Sequence, residues 1–253
     1  MRLNGQAAIV TGGGSGLGAA TAQRLASAGC RVTVLDINQS AVKASAQRIG
    51  GAGIVCDVAD AASAEAAVAK AREAHGPARL LVNCAGIGTA GRIVGRDGPM
   101  PLAAFERVIR INLIGSFNLL RLAAADMAKL DPLDEGERGV IINTASIAAY
   151  EGQVGQAAYA ASKAGVVGMT LPVARELARS GVRVVTIAPG LFHTPMVEGL
   201  PVEVQQSLAD GIPFPQRLGM PEEYAALVEH IISNRFINGE TIRLDGALRM
   251  PPR

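Results

Sequence analysis

At 253 residues, about half of them hydrophobic and 18% charged, the chain is long enough for one large α/β domain or two small ones around a real core. A formal net charge of +2 without any Lys/Arg block gives no electrostatic reason to expect nucleic acid or an anionic membrane as a partner. Cys30, Cys56 and Cys84 are scattered and lack metal-ligand spacing, which argues against a metal site and for reduced thiols in a cytoplasmic protein.

The elements read in chain order as an alternation of short apolar strands and Ala-rich helices. QAAIVT (6–11) is the first strand, and the glycine-rich TGGGSGLG (11–18) leads into a helix over 16–28. CRVTVLD (30–36), a helix over 39–49, AGIVCD (52–57), a helix over 61–75 and RLLVN (79–83) follow. A long helix is expected over 102–130, then GVIINTA (139–145), a helix over 156–179, VRVVTIA (182–188), a helix over 221–233 and ETIRL (240–244). Near-continuous apolar runs suit strands covered on both faces, and their alternation with helices argues for a doubly wound parallel sheet in a single domain spanning 1–253. No run is expected to cross a membrane, which takes roughly 20 apolar residues. Two segments break the rhythm: GRIVGRDGPMP (91–101) and the proline-punctuated 190–220, which is expected to be a lid beyond the carboxyl ends of the strands.

Glycines between a strand and a helix permit positive φ and let a pyrophosphate approach the backbone at the positive end of the helix. Gly12, Ser15, Gly16, Leu17 and Gly18 are therefore candidate cofactor contacts, in a Gly12-xxx-Gly16-x-Gly18 variant of the dinucleotide fingerprint. Asp36 ends the second strand, at the distance where a carboxylate accepts from ribose hydroxyls and repels a 2′-phosphate. It favours NAD over NADP; the alternative is a helix-capping or turn residue. Asp57 and Val58 end the third strand, where the carboxylate of Asp57 is a candidate for the adenine amino group. Asn83, Cys84, Ala85 and Gly86 end the fourth, with side chains small enough for a nucleotide to lie across them. Pro189 and Gly190 end the sixth, and Phe192 and Thr194 follow, with Thr194 a candidate for the nicotinamide carboxamide.

Tyr159 and Lys163 stand four residues apart on an expected helix, so they share a face. An ammonium near a phenol favours phenolate, and a tyrosine tuned that way exchanges a proton with an alcohol or ketone near neutral pH. Ser146, closing GVIINTAS, offers a hydroxyl to orient a substrate oxygen toward that phenol. Asn112 has two readings, a packing amide at a helix irregularity or a fixed amide holding a water. Gln153 and Gln156 flank the site, with Gln156 a candidate substrate contact. His193 beside the lid reads as a surface or hinge residue. Pro172 is expected to bend the catalytic helix.

TGGGSGLG, Asp36, NCAG, Asn112, Ser146 and Tyr159-xxx-Lys163, in this order, resemble the short-chain dehydrogenase/reductase family. The resemblance implies a sheet in the order 3-2-1-4-5-6-7 and Asn112, Ser146, Tyr159 and Lys163 as a catalytic tetrad. It also implies that Lys163 holds the nicotinamide ribose, and that the protein is a homotetramer. NTASIAAYEGQVGQAAYAASKAG (143–165), TIAPGLFHTPM (186–196) and NGETIRLDGALRM (238–250) are similar to the members that oxidise 3-hydroxyacyl-CoA with NAD, including short branched acyl chains. A hydroxysteroid or other apolar secondary alcohol, and 3-oxoacyl-carrier-protein reduction, are the alternatives. Asp36 argues against the reduction.

Overall fold

Seven parallel strands form the central sheet of the protein, seen in a computed structural model that describes residues 1–96 and 98–252, apart from the side chain of Met196. The first half runs β1 (Ala7–Thr11), α1 (Gly16–Ser27), β2 (Arg31–Asp36), α2 (Gln39–Ile49), β3 (Ala52–Val55), α3 (Ala61–His75) and β4 (Leu80–Asn83). A small antiparallel hairpin of β5 (Val94–Gly95) and β6 (Gly98–Pro99) follows. The chain continues through α4 (Leu102–Ile109), α5 (Gly115–Met127), β7 (Gly139–Thr144), α6 (Ala157–Leu177) and β8 (Val182–Pro189). It finishes with α7 (Pro195–Glu198), α8 (Val202–Asp210), α9 (Pro221–Ser233) and β9 (Thr241–Leu244).

The sheet order is β3-β2-β1-β4-β7-β8-β9, the expected 3-2-1-4-5-6-7 once the separate hairpin is left out of the count. β1 lies between β2 and β4, pairing Ile9 with both Thr33 and Leu81. Successive side chains point to opposite faces, so each strand feeds two cores. Ile9, Leu35, Leu81, Ile141 and Val184 pack with α3 and α5. Val10, Val34, Val82, Ile142 and Ile187 pack with α1 and α9. Burial on both faces is why the strands read as unbroken apolar runs, and each such side chain contributes about 1.5–3 kcal/mol.

Helix starts follow local chemistry. The Asn38 side chain accepts from Ala41 N–H at 3.1 Å to open α2, and Asp60 accepts from Ser63 N–H at 2.7 Å to open α3. The expected helix over 102–130 is continuous only to Met127 and contains one π-helical turn, Arg110–Ile114, centred on Asn112. By length and composition Leu102–Met127 would suffice to cross a membrane, contrary to the expectation that no run does. Half of the relevant stretch is buried, with Leu119, Leu120 and Met127 in the core under the sheet.

The segment 190–220 is more structured than its prolines imply, since it carries α7 and α8. Phe192 bridges to Gly219, while Val197, Ile212 and Leu218 pack on Ile147 and Leu248. The β5–β6 hairpin lies in 91–101, whose two-residue strands leave no periodic trace in the sequence; Asp97 is outside the described residues. α6 runs on through Pro172, which is exposed.

Candidate active site

The carboxyl ends of β1, β2, β4, β7 and β8 converge above the sheet, and the glycine loop occupies the first of these positions. Gly12 has φ +61°, and a Cβ there would lie 2.8 Å from the Ala85 nitrogen. A Cβ on Gly18 would overlap the Gly12 carbonyl oxygen, so side chains at either position would close the turn. Ser15 precedes α1 without a side-chain cap bond, leaving the helix amides to an incoming anion. Thr194 lies beside this loop, its methyl 3.5 Å from where a Cβ on Gly16 would stand. Asp36 accepts from the Gly14 N–H at 3.1 Å through one oxygen and from the Asn38 N–H at 3.1 Å through the other. The turn-residue reading of Asp36 thus holds as well, and it orients the carboxylate beside the loop. A glycine cradle, open helix amides and a fixed carboxylate together fit a dinucleotide.

Ser146 stands two residues beyond the end of β7, buried, with its Oγ accepting from the Ala148 N–H at 3.1 Å. Tyr159 and Lys163 share the inner face of α6, the Lys163 ammonium 5.8 Å from the centre of the phenol ring. Lys163 Nζ donates to the Thr144 carbonyl at 2.8 Å. Burial dominates both groups. It raises the Tyr159 pKa above the ordinary phenol value, against a hydrogen bond with Ser146 that lowers it. It pushes Lys163 down from 10.5 to about 8, against the partial opposing influence of Cys84. The expected lowering of the phenol by the ammonium is therefore not the outcome in the protein alone, where desolvation by burial is the larger influence.

Asn112 has spent its amide on the protein. Its Oδ1 accepts from Ile87 N–H at 2.8 Å, and its Nδ2 donates to Ile87 O and to Ser162 Oγ, each at 3.0 Å. The packing reading describes this side chain, and both amide hydrogens are used. It secures the strand-end loop, where Gly86 comes so near that a Cβ would stand 3.2 Å from Asn112 Oδ1 and 3.5 Å from Lys163 Nζ.

Other expected contacts face inward. Asn83 is buried, donating to Ser116 O at 3.1 Å and to Asn143 Oδ1 at 3.0 Å, so only its backbone borders the cleft. Phe192 packs in the core, and Val58 and Pro189 are buried. The Asp57 carboxylate accepts from Ala59 N–H at 2.9 Å and remains partly accessible. Cys84 and Ala85 present N–H groups to Thr11 Oγ1 at 3.1 Å. Gly190 is held against Asp245, and Leu17 lies half-buried at the start of α1. His193 pairs with Glu198 at 3.0 Å on the surface.

A cavity of about 420 Å³ lies at the start of α6, lined by Arg92, Ile93, Gln153, Gln156 and Ala160 among others. Gln156 is turned back to accept from Gln153 N–H at 3.0 Å, which orders this wall. Thr11, Thr144, Ser162 and Tyr224 complete the site without having been singled out in the sequence, because their contacts join segments far apart in the chain.

Residues 6–204 match the family model described as short chain dehydrogenase. The chain belongs to the short-chain dehydrogenase family. The dehydrogenase is 52% identical to the 3-hydroxyacyl-CoA dehydrogenase type-2 of Bos taurus, over 99% of this chain and 97% of that one. It superposes on the crystal structure of 3-hydroxyacyl-CoA dehydrogenase type-2 from Mycobacterium avium with a TM-score of 0.93, at 44% identity and 98% coverage of both chains. A more distant relative, 34% identical over 98% of this chain and 99% of its own, is the 3-oxoacyl-[acyl-carrier-protein] reductase FabG of Thermotoga maritima. The dehydrogenase is therefore an oxidoreductase acting on a CH–OH group with a nicotinamide dinucleotide.

Proposed function

We propose that the dehydrogenase oxidises 3-hydroxyacyl-CoA thioesters, including short or branched acyl chains, to 3-oxoacyl-CoA with NAD. The observation that carries the cofactor choice is the Asp36 carboxylate, fixed by two backbone N–H groups where a 2′-phosphate would meet like charge. The substrate class is supported by the names of the relatives at about half identity.

When bound, NAD supplies the hydride acceptor. Ser146 Oγ donates to the substrate oxygen and sets it toward Tyr159. The Tyr159 phenolate takes the hydroxyl proton as the C–H bond breaks, and in the reverse direction the phenol returns it. Lys163, anchored on the Thr144 carbonyl, keeps a positive charge beside the ring and within reach of a ribose. The Asn112 side chain holds the loop at Ile87 and Ser162 and so fixes the wall opposite.

A 3-oxoacyl-carrier-protein reductase is the second reading, favoured by the more distant relative and opposed by Asp36. Assembly into a homotetramer is supported by exposed apolar side chains, Phe117 on α5 and Phe236 after α9. A cytoplasmic location is part of the same proposal, on the scattered free cysteines. Steady-state oxidation of 3-hydroxybutyryl-CoA, 2-methyl-3-hydroxybutyryl-CoA and an androgen, each with NAD and NADP, tests the assignment. Turnover of the acyl-CoA substrates with NAD is expected; turnover confined to the steroid, or a strong NADP preference, overturns it.

A further inference from the structure

Beneath the catalytic lysine lies a polar cluster that the reaction itself does not use. Tyr224, on α9, is fully buried, yet its hydroxyl meets Thr144 Oγ1 at 2.7 Å. Thr144 Oγ1 donates to Cys84 Sγ at 3.6 Å, and Cys84 Sγ donates to the Tyr224 hydroxyl at 3.8 Å. Each group has one proton. With Thr144 giving to Cys84 and Cys84 giving to Tyr224, the Tyr224 proton goes to Thr144, and the ring closes with every proton used. Buried hydroxyls in such a network polarise one another and are costly to leave unpaired.

The ring touches the site through one atom. Thr144 is the last residue of β7, and its carbonyl accepts from Lys163 Nζ at 2.8 Å. We propose that Tyr224, Thr144 and Cys84 form a closed hydrogen-bonded ring that fixes the Thr144 carbonyl under Lys163, which makes Tyr224 a positioning residue for the catalytic lysine. α9 follows directly on the 190–220 lid segment, so the ring also ties that segment's end to the catalytic strand. The arrangement rests on the reading of Tyr159 and Lys163 as the proton-transfer pair.

The titratable groups facing Lys163 are Cys84 from the end of β4, Tyr159 on its own helix and, behind Cys84, Tyr224. Burial holds the Cys84 thiol above its ordinary pKa, while Thr144, Tyr224, the Lys163 charge and Thr21 pull it down. Removing the Tyr224 hydroxyl takes away a group that can turn to donate to a Cys84 thiolate, and leaves Thr144 as its remaining hydroxyl partner in the ring. The thiol is then favoured further, and Lys163 loses part of the nearby negative charge that favours its ammonium.

Three variants of the full-length protein test this. Tyr224→Phe is expected to slow iodoacetamide labelling of Cys84 at pH 8, followed by peptide mass spectrometry, by about tenfold. It is also expected to move the alkaline limb of the kcat–pH profile downward by about half a unit or more. Thr144→Val is expected to lower kcat by about tenfold, and Thr144→Ser, which keeps the hydroxyl, to recover most of that loss. Labelling needs no substrate, so a wild-type enzyme inactive on acyl-CoA defeats the substrate reading while labelling still decides the ring. Wild-type labelling and an unmoved pH profile in Tyr224→Phe, with only the melting temperature lowered, overturn the positioning role. So does equal loss in Thr144→Val and Thr144→Ser.

Discussion

Asp36 and Gly14 are joined across the mouth of the dinucleotide cleft, the carboxylate of one accepting from the backbone N–H of the other at 3.1 Å. One side chain therefore shapes the glycine loop and sets the charge met by a ribose. Those roles separate in Asp36→Asn, which keeps an acceptor for Gly14 but loses the charge. NADP should gain on NAD in this variant by about one to two orders of magnitude in kcat/KM, since juxtaposed like charges cost several kcal/mol. Cofactor-dependent kinetics with a single substrate measure the ratio. An unchanged ratio would show that Asp36 shapes the loop and does not select the cofactor.

Gly18 faces the Gly12 carbonyl so closely that the space holds no methyl group. Gly18→Ala must push α1 away from the loop, and overpacking of this kind costs about 1–3 kcal/mol. The shift also widens the phosphate cradle, so dinucleotide affinity should fall more steeply than stability. Thermal unfolding and fluorescence titration with NADH measure the two separately. Gly168 on α6 supplies the control, because a Cβ there would meet no atom within 4 Å. Gly168→Ala should leave affinity nearly unchanged and cost no stability.

Lys163 makes the ligand-free protein less stable than its packing allows. Its pKa falls from 10.5 to about 8 on burial, a cost to the charged form of about 3 kcal/mol. At pH 7, below both values, the folded protein carries that cost in full. Between about 8 and 10.5 the unfolded chain binds more protons than the folded one, so the contribution of this residue to stability rises with pH. Lys163→Met should therefore stabilise the ligand-free protein at pH 7 by about 1–2 kcal/mol, once the lost bond to Thr144 is deducted. The gain should shrink toward pH 10, while activity is lost throughout. Urea denaturation of both proteins across this range gives the difference directly, and a gain that grows with pH would reverse the assignment.

Much of this was legible in the sequence because burial on both faces writes strands as apolar runs, and the strand ends fell within two residues of those runs. The π turn around Asn112 was not, since one extra residue per turn barely disturbs the apolar pattern of a long helix. The β5–β6 hairpin escaped because two-residue strands carry no period. Ser146, Tyr159 and Lys163 could be placed from strand-end position and helical spacing. The Tyr224–Thr144–Cys84 contacts could not, because they join residues 60, 80 and 140 positions apart. The phenol's pKa also escaped: spacing shows that a lysine is near, but only the fold shows how far both groups have left water.

Tyr159 is the residue on which the proposed chemistry depends. Burial raises its pKa, so at neutral pH the protein alone holds a phenol, ready to give a proton to a ketone. Oxidation needs the phenolate, so kcat/KM for alcohol oxidation should rise with pH from about 7 toward 9, while ketone reduction should fall over the same range. Tyr159→Phe removes the oxygen and little else from a partly buried side chain. It should lower kcat in both directions by about a hundredfold or more, the contribution usual for a positioned acid or base. NADH affinity should change by less than about threefold, because the glycine loop and Asp36 are untouched. Stopped-flow hydride transfer and NADH titration on the same preparation separate these effects. A variant that binds NADH normally and still turns over at near the wild-type rate would remove Tyr159 from the mechanism, and its pH dependence would then have to come from another group.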